Sequence, residues 1–265
     1  MTDIADYLGL AGKTCAVTGA GGGIGRAVAL ALAKAGARPV LLDRDGGACA
    51  ETAAALSAIG VEAPCIPCDV ADPASVTAAA KTAGPCDVLV NNAGLLTPGP
   101  LATLPLEAWN RLISVNLTGY FLCAQAFGAD MLRRKSGAIV HVASIAARHT
   151  QGFSGAYSVS KAGVAMLSQQ LALEWGPSGI RSNVVSPGLV RTPMSEAFYQ
   201  APGVAERRAA IVPLGRVATP ADIADVVVFL ASDRAGYVTG EDLCADGGLG
   251  RMLMSLVPRP GFERS

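Results

Sequence analysis

Between Lys13 and Ala245, short runs of β-branched and apolar residues alternate with longer Ala-rich segments, and this alternation leaves few architectures open to the chain. The short runs read as strands at Thr14–Thr18, Arg38–Asp43, Val61–Cys68, Cys86–Asn91, Ala138–Ala143, Arg181–Ser186 and Val238–Ala245. The segments between them read as helices at Ile24–Ala35, from beyond Asp43 to about Ile59, from Pro73 onward, at Glu107–Arg134, at Ala156–Glu174 and at Pro220–Ala231. Strands alternating with helices of about 10–20 residues build βαβ units and hence a parallel sheet. A strand as continuously apolar as CDVLV suits a sheet covered by helices on both faces. No linker, charge block or repeat interrupts the pattern, so residues 1–265 read as one doubly wound α/β domain.

The stretch TGAGGGIG joins the first strand to the first helix, where a doubly wound fold holds the pyrophosphate of a dinucleotide. Glycines permit the tight turn and let backbone N–H groups approach phosphate, and the helix N-terminus adds a favourable dipole. The spacing is GxxxGxG, carried by Gly19, Gly23 and Gly25, with Ile24 between the last two; it does not match GxGxxG. Asp43 ends the second strand and is placed to accept hydrogen bonds from both hydroxyls of an adenosine ribose. Its charge would repel a 2′-phosphate, which favours NAD over NADP, although the neighbouring Arg44 offers a guanidinium for such a phosphate or for stacking on adenine. At the end of the third strand, Asp69 with Val70 is a candidate for the adenine; an ordinary turn is the other reading of that aspartate. Asn92, Ala93 and Gly94 close the fourth strand, where asparagine side chains can tie strand ends together.

Tyr157 and Lys161 lie four residues apart, one turn along the same helical face. A free tyrosine has a pKa of about 10, and an adjacent cation favours the phenolate. The expectation is a tyrosine with a lowered pKa, able to exchange a proton with an alcohol or carbonyl oxygen. Ser144, at the end of the fifth strand, is placed to hydrogen-bond the same substrate oxygen. Asn116, a poor helix former within the long helix, is placed to hold a water by disturbing the local backbone.

Taken together, TGAGGGIG, NNAG, Asn116, Ser144, YSVSK and SNVVSPGLVRTPM resemble the classical short-chain dehydrogenase/reductase family, in the family's order and over about Thr14 to Gly248. The resemblance implies a Rossmann-like domain, usually dimeric or tetrameric, that moves hydride between NAD(P) and an alcohol or ketone. By position, Tyr157 would be the acid/base, and Lys161 would bind the nicotinamide ribose and depress the tyrosine pKa. Ser144 would orient the substrate oxygen and Asn116 would hold a proton-relay water. Pro187, Gly188, Val190 and Thr192 would border the nicotinamide. The sequence departs from the family's usual residues at Val159, His141 and Ala143. His141 lies inside a strand and reads as a packed residue rather than a base.

The substrate walls are expected from Leu95–Thr97, Ile145–Phe153 and a mobile lid helix across Met194–Val212, within a lid region of about 190–212. His149, Gln151 and Arg191 suit a polyol or sugar, whereas Phe153, Met194 and Phe198 suit a ring or acyl chain. A 3-oxoacyl-[acyl-carrier-protein] reductase and a non-catalytic nucleotide-binding regulator are the alternatives. The tail at 249–265 reads either as docking on a neighbouring subunit or as a frayed terminus.

Composition narrows the partners. With 51% hydrophobic residues and 16% charged, the chain can bury a large core and still expose apolar surface for a homo-oligomer, a tetramer by the resemblance. The formal net charge is zero and no basic patch stands out, which argues against nucleic acid. The apolar runs are interrupted short of the ~20 residues that span a bilayer, which argues against a membrane. The acidic start lacks a basic signal region, and the seven cysteines read as reduced cytoplasmic thiols. Cys65 and Cys68 form a CxxC with no second CxxC or histidine pair beside it, so core and turn positions are expected and no metal site.

Overall fold

The computed structural model describes residues 6–257 and 261. In chain order its elements are β1 (Thr14–Thr18), α1 (Gly23–Lys34), β2 (Arg38–Asp43), α2 (Gly46–Ser57), β3 (Cys65–Pro67), α3 (Pro73–Ala83), β4 (Val88–Asn91), α4 (Leu106–Ile113), α5 (Gly119–Arg134), β5 (Gly137–Val142), α6 (Tyr157–Trp175), β6 (Ile180–Pro187), α7 (Val204–Ala210), α8 (Pro220–Ala231) and β7 (Asp242–Ala245). The seven strands form one sheet in the order β3-β2-β1-β4-β5-β6-β7, and every pairing is parallel. The order reverses between β1 and β4, so the carboxyl ends of these two strands open the crevice in which such sheets bind ligands.

Side-chain alternation along the strands builds two cores. Cys15, Val17, Leu41, Val88, Val90, Val140 and Val185 face one side, where they meet Val28 and Leu32 of α1 and Ile223 and Val227 of α8. Ala16, Val40, Leu42, Leu89 and Ile139 face the other, where they meet Val76 of α3, Phe127 and Met131 of α5 and Leu171 of α6. Helices thus cover both faces. By length and composition alone, the helical stretch Leu106–Arg134 is apolar enough to cross a membrane. Here its Cys123, Ala124, Phe127 and Met131 are core residues.

Four elements differ from the sequence expectation. β3 spans only three residues and starts just after Pro64, whose N–H position faces β2 but carries no donor for that ladder. Its shortness also accommodates Pro39 within β2. Arg38 N donates toward β1 and Leu41 N toward Pro64, so by alternation the donor missing at Pro39 faces a margin that β3 does not reach. β7 begins at Asp242 rather than Val238, because Gly240 turns the chain with φ +78°. The long helix is interrupted by a π turn at Ser114–Thr118. The expected lid helix is two pieces, a 3₁₀ turn at Glu196–Tyr199 and α7, separated by Pro202 and by Gly203 at φ +71°.

Candidate active site

The helix starts differ in one respect that matters for binding. The α2 and α3 N-termini are capped by the carboxylates of Asp45 and Asp72, and α8 carries a capping box between Thr219 and Asp222. Gly22, at the same position of α1, provides no side-chain cap, as is also the case before α4, α6 and α7. Here, however, the start opens on the glycine turn, and a Cβ on Gly22 would meet nothing within 4 Å. The first-turn N–H groups of α1 are therefore left to an external acceptor, which fits a phosphate. The turn is also tight. A Cβ on Gly25 would lie 2.1 Å from the Gly19 carbonyl oxygen, and one on Gly19 would lie 2.8 Å from Ala93 Cα. Asn92 Nδ2 donates to the carbonyls of Thr18 (3.0 Å) and Gly19 (3.1 Å), while Thr18 Oγ1 accepts from the backbone N–H groups of Asn92 and Ala93. These bonds join the β1 and β4 ends.

A cleft of about 430 Å³ runs from this turn along the carboxyl edge of the sheet. Asp43 and Arg44 line it beside Gly19, Gly23 and Ile24, with Asp69 and Val70 at the β3 end. Ala93 and Gly94 floor its middle, while Pro187, Gly188, Val190 and Thr192 form the opposite wall. The Asp43 carboxylate is fixed, Oδ2 accepting from Gly21 N at 2.8 Å and Oδ1 from Asp45 N at 3.0 Å. An uncapped helix start, a glycine cradle and an immobilised carboxylate in one groove fit a dinucleotide. Gly25 lies outside the lining and acts by letting the turn close.

At the other end of the groove stand Ser144, Tyr157 and Lys161. The Ser144 hydroxyl stands beside the Tyr157 phenol in the cleft lining and accepts from Ala146 N at 3.1 Å. Lys161 Nζ donates to Val142 O (2.9 Å) and to the Tyr120 hydroxyl (3.2 Å), and it lies 5.9 Å from the Tyr157 ring centroid. Burial pushes the Lys161 ammonium down to about 7. Burial also raises the Tyr157 phenol, with the Ser144 hydrogen bond working against it. The lowered tyrosine expected from the sequence is thus not a property of the chain alone. In this environment the lysine is only partly charged near neutrality, and desolvation of the phenol prevails.

Asn116 is fully buried in the π turn and outside the cleft lining. Its Oδ1 accepts from Leu95 N (2.7 Å), and its Nδ2 donates to Leu95 O (2.9 Å) and Ser160 Oγ (3.3 Å). A Cβ on Gly94 would sit 3.5 Å from Asn116 Oδ1 and 3.7 Å from Lys161 Nζ, so the two groups approach the same glycine from behind the groove. His141 is buried: its Nδ1 accepts from Asn91 (3.3 Å), its Nε2 reaches Ser182 Oγ (3.2 Å), and its ring stacks on Tyr120. Burial drives its pKa down to about 3, so it packs as a neutral ring. Cys65 is exposed and Cys68 buried, and no cluster of metal-ligating side chains occurs among the described residues.

Three of the residues expected at the substrate, Gln151, Met194 and Phe198, line the cleft. Phe153 does not. Its carbonyl accepts from Gly99 N, its backbone adopts φ +58°, and its side chain is 78% exposed on the outside of the loop. His149 is also absent from the lining; its ring lies against Gly250, where an added Cβ would meet Nε2 at 2.9 Å. Arg191 is engaged by Glu196, at 2.7 and 3.0 Å, and also lies outside the lining. Tyr199 and Arg208 do line it. From the sequence Tyr199 belongs only to the lid segment, and no spacing distinguishes Arg208 from the adjacent Arg207. Of the 249–265 tail, residues 258–260 and 262–265 lie outside the described residues.

Residues 19–250 match the family model described as enoyl-(acyl carrier protein) reductase. The chain is 42% identical to D-threitol dehydrogenase of Mycolicibacterium smegmatis over 244 residues, covering 90% of this chain and 93% of the relative. It is 42% identical to cis-4-hydroxycyclohexanecarboxylate dehydrogenase of Sinomonas cyclohexanicum over 241 residues, covering 89% and 96%. A solved gluconate 5-dehydrogenase from Burkholderia cenocepacia, in complex with NADP and tartrate, superposes with a TM-score of 0.89 at 32% identity, covering 94% of this chain and 99% of that one. With these likenesses over nearly its whole length, the chain belongs to the classical short-chain dehydrogenase/reductase family and is an NAD(P)-dependent oxidoreductase of secondary alcohols and ketones.

Proposed function

We propose that this enzyme uses NAD in preference to NADP, with Tyr157 as the acid/base, and acts on a polyol, sugar or cyclic secondary alcohol. The observation that carries the reading is the convergence of Ser144, Tyr157 and Lys161 at one end of a groove whose other end is Asp43. The bound dinucleotide would take up or release the hydride. The Tyr157 phenolate takes the hydroxyl proton during oxidation, and the phenol so formed returns it to the carbonyl oxygen during reduction, while the Ser144 hydroxyl holds the same substrate oxygen. In its protonated form Lys161 would place positive charge beside the phenol, and its ammonium would donate to the nicotinamide ribose of a bound dinucleotide. Asn116, backed by Leu95 and Ser160, fixes the backbone behind Lys161 and supports a water at the proton's exit.

Asp43 supports the choice of NAD, since its two oxygens are held by Gly21 and Asp45 and leave a fixed negative charge at the ribose end. Arg44 beside it is the one feature that favours a 2′-phosphate, as does the NADP in the Burkholderia structure. The polyol and cyclic-alcohol relatives match a small pocket with both polar and apolar walls. A homotetramer in the cytoplasm completes the proposal. Val159, Met166 and Leu173, spaced by seven along the exposed side of α6, leave an apolar stripe for a second copy.

The test is absorbance of reduced nicotinamide with NAD and separately NADP, across polyols, sugars and cyclic alcohols. A rise with NAD exceeding that with NADP is expected. A preference for NADP would overturn the cofactor assignment. Intact nucleotide binding without turnover of any alcohol or ketone would favour the regulator reading.

A further inference from the structure

The substrate end of the groove holds a cation that nothing in the proposed reaction uses. Arg208 sits on α7, half-buried and facing the cleft. Its guanidinium carbon lies 4.7 Å from the centroid of the Tyr199 ring and 5.3 Å from that of Phe198. Stacking on two rings restrains the side chain while leaving its N–H fork without an acceptor. Among the described residues no carboxylate or hydrogen-bond acceptor engages it, in contrast to Arg191, which Glu196 neutralises in the same segment.

The acids that line the groove do not compensate this charge. Asp43 and Asp69 stand at the ends of β2 and β3, and β2 is three strands from β5 and Ser144, about 14 Å at ordinary strand spacing. A second observation points the same way. The Tyr199 hydroxyl is buried and has no hydrogen-bond partner, although Tyr199 lines the cleft. A buried hydroxyl is stabilised when it donates, and beside a guanidinium that no carboxylate engages, the group able to accept from both is an anion.

We infer that Arg208 and the Tyr199 hydroxyl form an anion subsite, and that the preferred substrate is a secondary alcohol bearing a carboxylate at some distance from the reacting carbon. A guanidinium flanked by rings presents a planar edge, which matches a planar carboxylate through two parallel hydrogen bonds. Phosphate and sulfonate share the charge but not the planarity. The inference rests on hydride transfer beside Tyr157, and it assigns the far end of the substrate rather than the reacting one.

The test uses matched pairs: 3-hydroxybutyrate with its amide, 3-hydroxycyclohexanecarboxylate with its amide, and a cyclohexanediol monophosphate as the non-planar anion. For the wild-type enzyme, kcat/KM should favour each acid over its amide by at least tenfold. In Arg208→Gln that ratio should collapse towards one, mainly through KM for the acid, and Arg208→Lys should restore part of it. Each acid is also titrated into the enzyme–NADH complex, which reads the subsite without turnover. Wild-type binding at least tenfold tighter than Arg208→Gln is expected, even if a given acid is not oxidised. Arg208-dependent binding with no turnover of any pair would therefore count against the hydride-transfer reading alone. Equal binding by both proteins would overturn the subsite. So would an Arg208→Gln enzyme whose affinity for NAD falls in parallel, since the guanidinium would then serve the pyrophosphate. A clear preference for the phosphate ester over both acids would overturn the assignment to a carboxylate.

Discussion

Lys161 donates to the Tyr120 hydroxyl at 3.2 Å, and its ammonium lies 4.9 Å from the Tyr120 ring centroid. The phenol is itself oriented, because it donates to Val142 O at 2.9 Å and so offers its lone pairs to the lysine. Two acceptors and a ring face are what a buried ammonium has here in place of a carboxylate. Tyr120→Phe removes one of the acceptors, so the Lys161 pKa should move below about 7. A chemical-shift titration of labelled lysine should show the displacement, accompanied by weaker NAD binding at pH 8.

Tyr157→Phe keeps the ring and deletes the proton carrier. Turnover should fall by at least ~10²-fold, the scale of positioned acid–base catalysis. Fluorescence titration should show NADH binding within about twofold of wild type. A Tyr157→Phe enzyme that stays active would remove Tyr157 from the mechanism.

At the ribose end, Asp43→Ser removes the fixed negative charge while leaving Arg44 in place. The ratio of kcat/KM for NADP to that for NAD should rise at least tenfold, equivalent to about 1.4 kcal/mol of discrimination. Initial rates with the two cofactors at one fixed alcohol concentration measure it.

His141 makes acid stability a further readout. Its imidazole takes a proton at about 6.5 in the unfolded chain but only at about 3 when buried. The unfolded state therefore binds more protons between those values, and folding stability must decline as pH falls through that window. Urea midpoints at pH 7, 5 and 4 should fall more steeply for wild type than for His141→Gln.

The parallel sheet was legible because its strands are uniformly apolar and its helices long, as in Thr14–Thr18 and Pro220–Ala231, whose observed bounds coincide with the sequence reading. β3 was overestimated because hydrophobic pattern ignores which N–H groups exist, and Pro64 lacks the one that would face β2. The π turn at Ser114–Thr118 was legible only as the local disturbance expected at Asn116, a poor helix former, while the apolar pattern read as one continuous helix. At the substrate end, sequence identified the polar side chains but not their partners. Arg191 and Arg208 look equivalent in the chain, yet Glu196 takes one and leaves the other facing the groove. Phe153 was misplaced for a comparable reason, since its left-handed backbone turns the ring outward.

The short β3 has a consequence for solution behaviour. Cys68 N donates inward to Asp43 O, so alternation directs the N–H positions of residues 65 and 67 outward, and Pro67 has no N–H to present. This margin of the sheet offers a single outward donor, on Cys65, and the exposed flank of β2 beside it is blunted by Pro39. An incoming strand finds almost no ladder to extend there, which makes this flank a poor template for runaway association in a crowded solution.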